Sequence, residues 1–385
     1  MGNKVALLGL GDIGGYALEL LAREPSVTEI VTADVDEDRG RFKCQIALAS
    51  AFQGHYKDIS FHKLDLFNVA DTVAFFRREK PDIVLSTASL LPPWAVEEPL
   101  PDSAVAELDG AGYGPWLPMH LALIRNVMLA LRKAELKIPV VNSSFPDVVN
   151  AVLGREGMAP AAGVGNSDQF VPLLQKVVGE ELGVPRRNVA IYLVAPHYIW
   201  RNMNYYKKIT GARYFLKVLV GDKDVTRSFN TDDLLERSVS FYPNIRPTAR
   251  DPHPIGWLAP QVSASAVKNV MGILNNTGEL THTPGPEGLP GGYPVRLTSE
   301  GAKVVLPAEL TLEEAVEINK DGQTRDGVES IKPDGTVVFT KSVRDVTRRV
   351  LGYDCAELRP ADAAVRAKEL KELFDAFVRK SVARK

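Results

Sequence analysis

Three glycines near the amino terminus, Gly9, Gly11 and Gly14, stand in the order G-x-G-x-x-G within GLGDIG, and Asp34 follows 20 residues after the third. This spacing suits a pyrophosphate. Gly9 permits a tight turn, Gly11 lets the backbone approach the phosphates, and Gly14 lets a helix lie close on its strand. Asp12 and Ile13 begin that helix, where unpaired N–H groups and the positive end of the dipole favour an anion. Asp34 can accept hydrogen bonds from both hydroxyls of an adenosine ribose and repels a 2′-phosphate. The stretch therefore predicts NAD, with Arg39, Arg41 and Lys43 leaving some room for NADP.

A second set of residues could handle a proton. An alcohol gives up a hydride readily only if its hydroxyl proton leaves too, and a neutral histidine within reach can take it. Of the six histidines, His197 stands at the end of an apolar strand, IYLVAPHYIW. Asp168 opens a helix after the glycine-containing turn AAGVGNSD. A carboxylate on the far ring nitrogen would fix the histidine tautomer. Read alone, His197 is more simply a structural histidine. His253, between Pro252 and Pro254, is its competitor, and His55, His62, His120 and His282 read as surface or loop residues. No HExxH, CxxC or acid–histidine cluster appears, so no metal is expected.

These residues need elements to hold them. Strands are expected at Val5–Leu8, Glu29–Ala33, Ile59–Leu64, Asp82–Ser86 and Ile138–Asn142, with helices between them. Such alternation predicts an α/β fold, a doubly wound parallel Rossmann sheet, with a second α+β substrate domain after it. The carboxyl ends of the strands then form one rim, carrying the Gly9 turn, Asp34, the segment after Thr87 and Asn142. Thr87 to Trp116 reads as a long lid or binding loop rich in proline. Beyond it come helices at Asp147–Leu153, Gln169–Leu182, Pro260–Leu274 and Leu312–Asn319. A strand is expected at Val189–Val194, and hairpins around Gly221 and Gly301. Residues 283–294 read as a loop. A hairpin at Pro333-Asp334-Gly335 and an amphipathic helix follow, in which Leu370, Leu373, Phe374, Phe377 and Val378 make one stripe, packed on the chain's own core or on another subunit. The expected domains are 1–146 for NAD, 147–330 for substrate and catalysis, and 331–385 as a carboxyl-terminal extension.

The bulk properties agree with an ordinary soluble globular protein. At 385 residues, 45% hydrophobic, the chain can bury two cores. A net charge of −2 argues against a nucleic-acid surface. No apolar run approaches the roughly 20 residues of a membrane helix. The start runs straight into a strand, so no leader is expected, and two cysteines make no disulfide framework; a cytoplasmic protein is the expectation.

With these motifs in hand, the chain resembles the lactate/malate dehydrogenase superfamily over about residues 3 to 320. GLGDIG and ADVDED resemble its amino-terminal half. LPMHLALIRNVMLALRKAELKIPVVNSSFPDVV is similar to the segment ending in its Asn-Pro-Val-Asp turn, with Asn142 on the asparagine and Asp147 on the aspartate, one residue further apart. GVGNSDQF followed by NVAIYLVAPHYIW puts Asp168 and His197 on the positions of its catalytic aspartate and histidine. APQVSASAVKNVMGIL is similar to its late active-site helix, with Gln261, Ser263 or Ser265 toward the substrate. The resemblance implies that Thr87, Ala88 and Ser89 pass the pyrophosphate and ribose, that Asn142 meets the nicotinamide ribose or substrate, and that the chain forms a homodimer or homotetramer.

The departures bear on the substrate. Val171 stands where the family's carboxylate-gripping arginine is expected, and the Thr87–Trp116 segment has no arginine or lysine; it has Trp94, Tyr113 and Trp116 among several acids. Gly165-Asn166-Ser167 lacks the cysteine of the superfamily's metal-using glycosidases. The expectation is an NAD-dependent oxidoreductase acting on a small molecule that is a secondary alcohol or ketone, bulky and unlike lactate or malate. Trp94, Trp116, Arg201 and Ser263 are the candidate substrate contacts, and a carboxylate could still meet Arg201 or Lys207. The alternatives are an opine- or saccharopine-like reductive-amination enzyme and a non-catalytic NAD sensor.

Overall fold

The computed structural model describes residues 3–91, 99–241 and 258–382. Its first half alternates as expected: β1 (Asn3–Leu8), α1 (Asp12–Leu21), β2 (Val27–Asp34), α2 (Glu37–Ala51), β3 (Asp58–Lys63), α3 (Val69–Glu79), β4 (Ile83–Ser86), α4 (Asp102–Gly110), α5 (Leu117–Ala134) and β5 (Val140–Asn142). Then come α6 (Pro146–Arg155) and β6 (Ala162–Gly163). The six strands form one parallel sheet in the order β3-β2-β1-β4-β5-β6. This is the doubly wound order, and its direction reverses between β1 and β4, which is where such sheets bind ligands. Val5 to Leu8 are wholly buried, as a parallel strand covered on both faces requires.

Two boundaries differ from expectation. The sheet takes its sixth strand from Ala162–Gly163, past residue 146, by pairing Val141 with Ala162 and Asn142 with Gly163. The AAGVGNSD stretch read as turn alone because two strand residues are too few to show a period. Likewise, the Thr87–Trp116 segment is not one long loop. It contains α4, whose Ala104, Val105 and Leu108 point inward, a spacing that places them on one helical face.

The second half begins with α7 (Phe170–Leu182), β7 (Val189–Val194), α8 (His197–Tyr206), β8 (Phe215–Val220), β9 (Lys223–Asp224) and α9 (Thr231–Val239). It continues with α10 (Ala259–Leu274), β10 (Leu280–Pro284), β11 (Gly292–Thr298), β12 (Gly301–Val304) and α11 (Leu312–Arg325). The strands β7–β9 and β10–β12 form two antiparallel sheets. Residues 283–294, expected as a loop, lend their ends to β10 and β11. Helix α8 was not expected at all, because HYIW was read as the end of the preceding strand. It nevertheless buries eight of its ten residues.

The tail folds as β13 (Val328–Ile331), β14 (Val337–Phe339), α12 (Lys341–Leu351), β15 (Glu357–Leu358) and α13 (Ala363–Val382). It does not stand apart. Leu370 and Phe374 are buried in the same core as Leu117, Leu121 and Ile124 of α5, with Leu373, Phe377 and Val378 packed beside them. The amphipathic stripe therefore covers this chain's own Rossmann half. On the opposite face of the sheet, Ala266, Val267 and Val270 of α10 share a core with Leu18 and Leu21 of α1. A third core lies between β7–β8 and α7, α9.

Candidate active site

The glycine turn has the geometry its spacing predicts. Gly9 sits at φ +90°, and a Cβ there would lie 2.7 Å from the Ala88 nitrogen. At Gly14 a Cβ would lie 2.0 Å from the Gly9 carbonyl oxygen and 2.7 Å from Thr87 Oγ1. Gly11 differs: a Cβ there would meet nothing within 4 Å, so its open side is the approach for a ligand. Gly11 also caps α1 without any side-chain hydrogen bond, which leaves the helix start to an anion. Thr87 Oγ1 donates to the Gly9 carbonyl at 2.7 Å and ties β4 to the turn. Around this turn lies a cleft of about 580 Å³, lined by Gly9, Gly11, Asp12, Ile13, Asp34, Thr87, Ala88 and Ser89. Asp34 accepts from the backbone N–H of Leu10 at 2.6 Å and of Asp36 at 2.9 Å, and Arg39 lies 3.2 Å away. Oδ1 takes both Asp36 and Arg39, and Oδ2, with Leu10 alone, keeps a further lone pair for a ribose hydroxyl. The open face at Gly11 and the acid at the strand end fit a dinucleotide.

Asn142 is the exception among the cofactor candidates. It is fully buried, donates to the Ser144 carbonyl and Asn150 Oδ1, and accepts from the Ser144 N–H at 2.9 Å. Both its N–H groups and its oxygen are engaged by the turn after β5 and by α6, and it lines neither cavity.

Ile13, Thr87 and Ser89 are shared with a second, smaller pocket of about 110 Å³. His197 is in its wall, together with Tyr113, Phe145, Trp200, Arg201 and Val262. His197 opens α8, and its backbone N–H donates to Asp147 Oδ1 at 3.0 Å. Three rings pack on the imidazole: Trp200 stacked at 5.5 Å, Tyr113 at 5.2 Å and Phe145 edge-on at 5.1 Å. Burial pushes the Asp147 carboxyl up to about 6, against the opposing effects of His197 and Asn166.

The carboxylate beside His197 is Asp326. Its Oδ2 lies 2.8 Å from His197 Nδ1, with both side chains buried. Asp326 follows the end of α11, where its carbonyl also accepts the Gly114 N–H at 2.6 Å. Asp168, the expected partner, is elsewhere. It is 2% exposed, accepts from Ser265 Oγ at 2.5 Å and from Lys268 Nζ at 2.6 Å, and lines a different cavity with Gln261 and Thr281. Ser265 and Lys268 stand three apart on α10, so both reach the same carboxylate. With a lysine on Oδ1 and a hydroxyl on Oδ2, Asp168 is a strut between α10 and the turn before α7.

The candidate substrate contacts separate. Arg201 lines the pocket and is ion-paired with Asp109 of α4. Ser263 does not face it: its hydroxyl donates to the Ile13 carbonyl at 2.8 Å and to the Ala259 carbonyl at 2.7 Å. Trp116 is a core residue, edge-on to Phe374 at 5.8 Å. Trp94 and His253 lie outside the described residues. Burial lowers the Lys207 ammonium to about 8, and Lys207 does not line the pocket.

Two further histidines are not on the surface as expected. His282 in β10 is fully buried. His120 is 4% exposed, lines the pocket, and hydrogen-bonds Tyr113 through Nε2 at 2.7 Å and Ser144 through Nδ1 at 3.0 Å. Burial, assisted by His197, holds the His120 imidazole down at about 3, so it is neutral. The first eight residues of α5, 117–124, are all buried and otherwise apolar, which is the signal that a polar residue among them is buried and paired. For Asp326 no such signal existed. The helix expected at Leu312–Asn319 runs on to Arg325, so Asp326 belonged to no expected element, and its pairing spans 129 positions.

Among the described residues, no three His, Cys, Asp or Glu side chains converge to hold a metal ion, and no helix is long and apolar enough to cross a membrane. No family model matches the sequence, and no curated protein does. Solved structures do match the fold. Lactate dehydrogenase from Eimeria maxima, solved with NADH and oxamate, is 15% identical, with a TM-score of 0.57 over 84% of this chain and 92% of that one. Malate dehydrogenase from Cryptosporidium parvum is 14% identical, with a TM-score of 0.57 over 90% and 99%. Lactate dehydrogenase from Cryptosporidium parvum, solved with lactic acid and nicotinamide adenine dinucleotide, is 15% identical, with a TM-score of 0.54 over 85% and 98%. At this identity the likeness is one of fold.

Proposed function

We propose, from the fold shared with lactate and malate dehydrogenases, that this chain is an NAD-dependent oxidoreductase that interconverts a secondary alcohol and its ketone. The observation that carries the reading is the buried His197–Asp326 pair at 2.8 Å, in a pocket that shares Ile13, Thr87 and Ser89 with the glycine cleft. Gly9, Gly11, Asp12, Ile13, Asp34, Thr87, Ala88 and Ser89 would hold the dinucleotide, with Gly14 letting α1 pack close behind the turn. The nicotinamide, when bound, supplies the hydride acceptor or donor. His197 Nε2 takes the hydroxyl proton in oxidation and returns it in reduction. Asp326 keeps the proton on Nδ1 and stabilises the imidazolium that forms, in the way an aspartate orients a histidine base. Trp200, stacked on the ring, favours that cation as well.

The pocket walls support an uncharged substrate with apolar or aromatic surface. Tyr113, Phe145, Trp200 and Val262 supply the walls, and the cation among them, Arg201, already has a carboxylate. Bulk is less well supported than neutrality. A cavity of about 150 Å³ accommodates one benzene, so a bulky compound would have to extend from this pocket of about 110 Å³ toward the cleft. A homodimer or homotetramer in the cytoplasm completes the proposal; light scattering tests the first.

The decisive experiment compares two aspartates. Asp326→Asn, like His197→Asn, is expected to lower turnover by a factor on the order of 10² to 10⁴ with NAD affinity unchanged. Asp168→Asn is expected to leave turnover within several-fold while lowering stability. Full activity in Asp326→Asn would sink the assignment. A screen of uncharged alcohols and ketones by NADH absorbance provides the substrate for it.

A further inference from the structure

Arg201 is an unusual residue to find in an apolar pocket. It is 6% exposed, lines the pocket beside His197 and Trp200, and has its guanidinium 5.9 Å over the Tyr205 ring. Its counter-charge does not come from a neighbour on α8. It comes from Asp109 at the end of α4, which engages Arg201 Nη2 through its carboxylate and its backbone carbonyl. Tyr206 of α8 donates its hydroxyl to the other Asp109 oxygen at 3.0 Å. The carboxylate is thus held from both sides, as a bound acid would be.

We infer that Arg201 is a carboxylate-binding site which Asp109 occupies from within the chain, and that Asp109 thereby keeps 2-oxo and 2-hydroxy acids out of the pocket. A guanidinium is the side chain best matched to a planar carboxylate. A buried guanidinium must have one. Asp109 cannot withdraw cheaply to make room, because α4 is anchored. Val105 and Leu108 are in the main core, and Glu107 is paired with Arg349 of α12 at 2.7 Å. An incoming acid therefore competes with a carboxylate already tethered in place. A ketone without a charge does not compete and enters freely.

The inference rests on the dehydrogenase reading for the class of acid excluded, but the site itself can be tested without turnover. Asp109→Ala removes the tethered carboxylate and leaves its space; Asp109→Ala with Arg201→Met removes both charges. Acetate is titrated into each full-length protein, with chloride as control, while the unfolding temperature is followed. Acetate is expected to raise the unfolding temperature of Asp109→Ala saturably, and not that of the wild type or the double variant. If Asp109→Ala folds only in acetate while the double variant folds without it, the inference stands. A folded Asp109→Ala with no acetate response overturns it, as does one that acetate cannot rescue. In the second arm, a 2-oxo acid and the matching methyl ketone are compared as substrates with NADH. Asp109→Ala is expected to shift the ratio of kcat/KM toward the acid by about tenfold to a hundredfold, the worth of a charged hydrogen bond, and Arg201→Met to abolish the shift. An unchanged ratio overturns the exclusion. If no variant turns over any compound and acetate still acts, the dehydrogenase reading fails and the carboxylate site does not. The exclusion is then read from quenching of tryptophan fluorescence by the same acid, expected in Asp109→Ala and absent from the wild type; equal quenching in both overturns it.

Discussion

His120 and Asp147, both buried beside His197, are displaced in opposite directions, and stability carries the sign of each. His120 is held down at about 3. The folded chain therefore refuses a proton that the unfolded chain accepts near 6.5, and stability is lost as pH falls from 6.5 toward 3. The loss is on the order of 5 kcal/mol. Asp147 is raised to about 6, so the folded chain binds a proton more readily than the unfolded one. Its contribution is present below pH 4 and is lost as pH rises through 6, on the order of 3 kcal/mol. Urea midpoints measured from pH 7 to pH 4 check both. His120→Gln keeps hydrogen bonds without titrating, so its stability is expected to fall less on acidification than that of the wild type. Asp147→Asn is expected to fall more steeply. Equal slopes in all three proteins would contradict the burial of these groups.

The glycines of the turn make distinct predictions at the level of elements. A methyl at Gly14 would drive α1 off the Gly9 carbonyl and Thr87, so Gly14→Ala is expected to lose stability by a few kcal/mol, in the range of overpacked cores, and NAD affinity with it. A methyl at Gly11 meets no protein atom. Gly11→Ala is expected to keep its unfolding temperature and lose NAD affinity, as read by fluorescence titration. The same contrast explains what could be read in advance. The turn, Asp34 and the alternation of β1 to β5 with helices are local patterns, each decided within some 30 residues, and all were legible. His197 was found as a strand-end histidine, although α8 was not. What escaped were decisions between distant elements. Asp168 is an acid at a helix start in either reading; only the Ser265–Lys268 pair on α10 takes it away from His197. Asp326 lies past the expected helix end at Asn319, and only the packing of α11 against α8 brings it to His197. Arg201 was legible as a cation near the site, but its partner Asp109 was hidden in a segment read as loop.

Over the whole molecule, the described part of the carboxyl-terminal extension, residues 331–382, packs on the Rossmann half. Leu370 and Phe374 fill the groove over α5, and Tyr353 and Leu358 join the same core. Phe374→Ala is expected to cost about 3–5 kcal/mol, as large-to-small changes at buried aromatics do. Removing residues 363–385 is expected to leave an aggregating protein, not a soluble half-active one, because it uncovers α5. Recovery of a soluble, NAD-binding truncate would show that the extension is an independent unit.

The distance in sequence between His197 and Asp326 has a consequence in time. A ribosome makes the chain from its amino terminus, and domains tend to fold in that order. The glycine turn and its sheet can take shape while His197 still has no carboxylate, since Asp326 emerges 129 positions after it. The groove over α5 stays bare for longer, until α13 leaves the exit tunnel. In the half-made chain the cleft around Gly11 is therefore complete before the His197–Asp326 pair forms. Until α13 emerges, Leu117, Leu121 and Ile124 lack the cover that Leu370 and Phe374 give them.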